Sequence, residues 1–111
     1  MIPAGIFIAK EAHDMKNVFI SDRIAKELPE WVPYLLWYAI GDMNVQHGTR
    51  QMFELSEENG MQRIRHTQTY PAYENVVVFP VDKPIHTVIV VRFGETETVM
   101  MLEQEESEHP V

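Results

Sequence analysis

The sequence predicts an α+β fold in which one main α-helix packs on a mostly antiparallel, meandering sheet of about five to six strands. Three observations carry this expectation. Only one segment, 29–43, joins helical length to good helix formers; an Asn59-Gly60 pair separates two strand-like runs; and β-branched runs continue from there to residue 102.

In chain order, Ile2 to Ala9 is apolar but contains Pro3 and Gly5, which suits an edge strand or an arm laid on the core. Asn17-Val18-Phe19-Ile20 reads as a short strand closed by Ser21-Asp22, with a turn or short helix after it. The main helix follows, filled by Leu35, Leu36, Trp37, Ala39 and Ile40 and stopped near Gly41. Pro33 lacks an amide hydrogen and disfavours α conformation at Val32, so the helix is expected to start at Pro33. Tyr34 to Ile40 is apolar on nearly every face, so its far side requires a cover, either the N-terminal arm or another protomer.

Gln51 to Glu58 and Met61 to Tyr70 form a hairpin around Asn59-Gly60, a pair that tolerates positive φ at both central turn positions. The register then sets Glu58 opposite Met61, Leu55 opposite Ile64, Phe53 opposite His66 and Glu54 opposite Arg65. The Leu/Ile and Phe/His pairs share one face and the Glu/Arg pair takes the other, as a half-buried sheet requires. Pro71 ends that strand. Glu74 to Phe79 is the next, and His86 to Phe93 pairs with Thr96 to Leu102 through a Gly94-Glu95 type II′ turn that sets Arg92 opposite Glu97 and Val90 opposite Val99. Both faces of this last hairpin are apolar, so it is central or its outer face is an interface.

The 111 residues suit a single domain at 14–102, with an N-terminal arm at 1–13 and an acidic disordered tail at 103–111. Nine Lys+Arg against 17 Asp+Glu give a net charge of −8, the wrong sign for gripping a phosphate backbone, so no direct nucleic-acid binding is expected. The absence of cysteine removes thiol nucleophiles, disulfides and thiolate zinc sites. The N-terminus lacks a basic stretch before its apolar residues, and the longest apolar run, Trp31 to Ile40, is about half of what crosses a bilayer. A cytoplasmic protein with no membrane contact is the expectation.

The order Phe19-Ile20, Glu27-Leu28-Pro29, Leu35-Leu36-Trp37, Phe53-Glu54-Leu55, Asn59-Gly60, Gln62-Arg63-Ile64, His66-Thr67-Gln68 and Pro71-Ala72-Tyr73 resembles a known family. It is similar to the small bacterial proteins grouped as domain of unknown function nine-sixty, over about residues 16–104. The Phe-Glu-Leu to His-x-Gln hairpin is the most specific part. The resemblance implies a bacterial or mobile-element origin and brings no known activity with it.

No Gly-rich phosphate loop, HExxH, GxSxG or EF-hand spacing is present. The five histidines, His13, His47, His66, His86 and His109, include no close pair. His66 is the one polar site the sequence offers: it is either a buried base or ligand, or a structural histidine with a hydrogen-bond partner, and the structural reading is favoured because metal sites need several convergent ligands. Alternation sends Glu54 to the opposite face from His66, which rules against their acting together.

The expected function is that of a non-enzymatic protein-binding module without a cofactor. Trp31, Tyr34 and Tyr38 are its docking residues, with Trp31 leading because it precedes the expected helix start. A homodimer through the outer face of the last hairpin is also expected. One alternative is an acidic inhibitor that imitates nucleic acid through Glu57, Glu58, Glu95, Glu97 and the tail. A second is an enzyme or metal protein built on His66.

Overall fold

The fold is that of a computed structural model, which describes residues 2–3 and 17–108. Most of the expected N-terminal arm, with His13, and the end of the tail, with His109, lie outside the described residues. The chain forms β1 (Ile2–Pro3), β2 (Val18–Ile20), α1 (Asp22–Glu27), α2 (Trp31–Gly41), β3 (Arg50–Glu58), β4 (Met61–Gln68), β5 (Tyr73–Phe79), β6 (Thr87–Phe93), β7 (Thr98–Leu102) and α3 (Glu103–Glu106).

This architecture corrects the expected fold class. Among the described residues the molecule is mostly sheet, with three short helices rather than a main helix over a meander, and only α2 exceeds two turns. The sheet is mixed and ordered β1-β2-β7-β6-β3-β4-β5, with six strands of three or more residues and the two-residue β1 at one edge. β2 runs parallel to β7, setting Val18 beside Thr98 and Ile20 beside Met100. After the β3-β4-β5 meander the chain crosses back, so that β6 pairs with β3 instead of β5. An apolar run such as Val88 to Val91 announces an interior strand, but not which neighbour it takes; sequential pairing is only the default.

The β3-β4 register is the expected one, from Glu58↔Met61 through Phe53↔His66. Asn59 (φ 52°) and Gly60 (φ 80°) take the left-handed conformations that a type I′ turn demands. The β6-β7 hairpin differs from expectation by two residues, with Phe93 opposite Thr98 and Val90 opposite Met101. Its connection is four residues long and closed by the Gly94 amide donating to the Glu97 carbonyl at 2.8 Å. Asn17 Nδ2 ties the loop down by donating to the Thr96 carbonyl. A two-residue slip preserves which side chains face which way.

α2 begins at Trp31, two residues before the expected start. Pro33 is accommodated because first-turn amides have no intrahelical acceptor. From this helix Val32, Leu36, Trp37 and Ile40 join a core with Val18, Ile20 and Ile24 and the inward residues Phe53, Leu55, Ile64, Ile89, Val91, Met100 and Leu102. On the opposite sheet face Val90 and Met101 are also buried.

The acidic tail also departs from expectation. Its first four residues form α3, and Glu105 is buried, accepting from Ser21 Oγ at 2.8 Å and from the Leu102 amide at 2.9 Å. Glu106 bridges Arg50 and Arg92, which stand directly opposite each other on β3 and β6 and would otherwise repel. The two guanidiniums, Arg50 foremost, pull the Glu106 carboxyl down to about 2.

Candidate functional site

The three aromatic docking candidates fall together. On α2, Trp31, Tyr34 and Tyr38 follow the three- and four-residue spacing that aligns side chains on one helix face. With Leu35 they line an open apolar groove completed by Phe79, Pro80 and Val81 at the end of β5. Tyr34 and Tyr38 are exposed, at 49% and 67%. Trp31 is half-buried instead, its ring edge-on to Phe79 at a centroid distance of 5.7 Å. Because the helix begins at Trp31, that side chain is held by the helix, and Tyr38 presents the most open surface.

β5 supplies the other wall and ends the sheet, pairing with β4 only. Its Val76 and Val77 are each 40% exposed, on opposite faces of a strand whose outward backbone groups have no neighbouring strand among the described residues. Charged side chains that commonly blunt such an edge are limited here to Glu74, which receives Arg65 Nε at 2.7 Å while the same guanidinium reaches Glu54 at 2.6 Å.

The four hairpin glutamates are not brought together. Since β3 and β6 are antiparallel, with Leu55 opposite Thr87 and Arg50 opposite Arg92, the two hairpin tips lie at opposite ends of the sheet. At about 3.3 Å per residue, Glu57 and Glu58 are about 25 Å from Glu95 and Glu97. Glu57 lies 3.6 Å from His86 and Glu58 lies 3.4 Å from Arg63.

His66 is 2% exposed. Its ring stacks on Phe53 at 4.2 Å and meets Tyr73 edge-on at 5.1 Å. Its Nε2 lies 2.7 Å from Gln51 Oε1, and Gln51 Nε2 donates to Gln68 Oε1. Gln68 Oε1 also accepts from the Gly48 amide, while its Nε2 donates to the carbonyls of Gln46 and Pro71. Backbone groups thus orient the whole chain: Gln51 must present its oxygen to His66, so Nε2 carries the imidazole proton and Nδ1 is left as a bare acceptor. Burial lowers the His66 pKa to about 4, which keeps the ring neutral near pH 7.

Sequence reasoning found His66 but missed the glutamines that hold it. Their signal was alternation: Gln62, Ile64, His66 and Gln68 fall on one face of β4, as Gln51, Phe53 and Leu55 do on β3. Gln62 pins the returning β5-β6 connection, accepting from the Ile85 amide at 2.7 Å and donating to its carbonyl at 3.0 Å. Among the described residues, no three of His, Cys, Asp or Glu converge as metal ligands. Nor is any helix among them long and apolar enough to cross a membrane.

The model of a family described as Staphylococcal protein of unknown function (DUF960) matches residues 17–105. No curated protein matches the chain. A solved structure described as a protein of unknown function from Enterococcus faecalis shares the fold, with a TM-score of 0.67 and 18% identity over 80% of this chain and 89% of that one.

Proposed function

We propose that this chain, which belongs to the family of Staphylococcal proteins of unknown function (DUF960), is a non-enzymatic cytoplasmic module that docks another protein in the groove between α2 and the end of β5. The supporting observation is that Trp31, Tyr34 and Tyr38 share one apolar groove beside β5, the edge strand among the described residues. Tyr and Trp offer large rigid contact area with a polar tip, the chemistry over-represented at binding hot spots. The open edge offers backbone hydrogen bonds to an extended segment, so the partner this surface suits is a strand-forming apolar stretch that extends the sheet beyond β5.

Capture of partners by the tagged full chain, washed at low and at high salt, tests the reading. A protein retained at high salt by the wild type and lost with Tyr38→Ala is the expected result, since removing a hot-spot aromatic weakens binding by about tenfold or more. Retention of every captured protein by Tyr38→Ala and Trp31→Ala alike contradicts it.

A further inference from the structure

The edge strand β5, Tyr73–Phe79, is complementary to itself. An antiparallel copy centred on Val76, its midpoint, sets Val76 opposite Val76, Asn75 opposite Val77, Glu74 opposite Val78 and Tyr73 opposite Phe79. Centring on Val77 would bring Pro80, which has no amide hydrogen, opposite Glu74, and centring on Asn75 would bring Pro71 opposite Phe79. Pairing about Val76 uses the whole strand and neither proline.

Charge fits the same register. Glu74 is the only charged residue of β5, and Arg65 Nε already donates to it at 2.7 Å. Pairing about Val76 keeps the two Glu74 carboxylates about 13 Å apart along the strands. Each lies beside Val78 of the other copy, whose neighbour on β4 is Arg63, so the acid approaches a base.

The groove lies on the same side of the molecule. Tyr38 adjoins Phe79 in the groove and Tyr73, Asn75 and Val77 behind it, so α2 runs along β5. A two-fold axis normal to the sheet leaves both α2 helices on one face, where the exposed Tyr34 and Tyr38 of each copy flank the axis. Tyr73 of one copy then stands beside Phe79, the groove wall, of the other, an aromatic cross-strand pair.

We infer that the strand docking at β5 is β5 of a second copy, so that two chains join edge to edge about a two-fold axis at Val76 into one continuous sheet. The inference rests on the docking reading and names its partner.

Sedimentation of the full chain and of Val76 variants provides the test. The wild type should form a dimer of the 12.9 kDa chain at or below about 100 μM. Val76→Lys and Val76→Glu should each weaken it about a hundredfold or more, since each sets like charges face to face across the axis, and mixing the two should restore it. The chain has no cysteine, so Val76→Cys should oxidise to a disulfide-linked dimer across a Cα separation of about 4.5–5.5 Å, while Val78→Cys, about 13 Å from its copy, should not. A wild type monomeric up to that concentration, a dimer left intact by both charged variants, or Val78→Cys linking as readily as Val76→Cys overturns the inference. The docking reading survives that result if Tyr38→Ala still releases a different captured protein, and falls separately if Tyr38→Ala and Trp31→Ala retain everything captured.

Discussion

His66 Nε2 donates to Gln51 Oε1 at 2.7 Å, and this one bond decides the tautomer and orientation of the only fully buried histidine among the described residues, while burial keeps its ring neutral. The folded-state pKa of about 4 lies below the ordinary histidine value, so the unfolded chain takes up a proton that the folded chain refuses. Stability from this group is full above about pH 6.5 and falls as pH drops towards 4, by up to about 3 kcal/mol. Urea midpoints measured between these limits should decline for the wild type and stay flatter for His66→Phe; parallel declines would refute the assignment.

Glu106 titrates lower. Its folded pKa, about 2, is depressed by Arg50 and Arg92, so its contribution is present above the ordinary carboxyl range and lost as pH falls from about 4.5 towards 2. Glu106→Gln should cost about 1–2 kcal/mol at pH 7 once solvent screening of the half-exposed arginines is allowed for. The gap between variant and wild type in thermal unfolding should close at the acid end of that window.

Gly48 is required for a close approach. A Cβ at this position would stand 2.6 Å from the Tyr70 carbonyl oxygen, a backbone atom, beside the amide that donates to Gln68. Gly48→Ala should therefore destabilise the fold by about 1–3 kcal/mol, measured by chemical denaturation. Gly60→Ala meets no obstruction, and its cost should come from its φ of 80° alone.

Within the groove, stability and binding should separate. Trp31 packs edge-on against Phe79, so Trp31→Ala should cost about 1–2 kcal/mol of stability. Tyr38 is 67% exposed, and Tyr38→Ala should change unfolding by no more than about 0.5 kcal/mol. Differential scanning calorimetry of the two variants reads the difference directly.

Local chemistry made part of this fold legible. Asn59-Gly60 and the alternation around it determine the β3-β4 register to the residue, including the Glu54-Arg65 pair on the outer face. Long-range pairing was not legible: nothing local in Val18-Phe19-Ile20 says that it runs parallel to β7, and nothing in Thr87 to Phe93 says that it neighbours β3. The tail was misread for a related reason. Glu105 and Glu106 look like repelling surface charges until the fold brings Ser21, Arg50 and Arg92 to them. Trp31, Tyr34 and Tyr38 were identifiable by type and spacing, but their shared groove exists only because β5 delivers Phe79, Pro80 and Val81 to the same place.

The most direct measurement on the docking surface is site-specific photo-crosslinking in living bacteria, with a photoreactive phenylalanine analogue placed at Tyr38 or at Val76 in the full chain, and at Glu95 as the control at the far end of the sheet. The account predicts one common adduct from Tyr38 and Val76 and none from Glu95. Absence of an adduct at Tyr38, or the same adduct from all three positions, would contradict it.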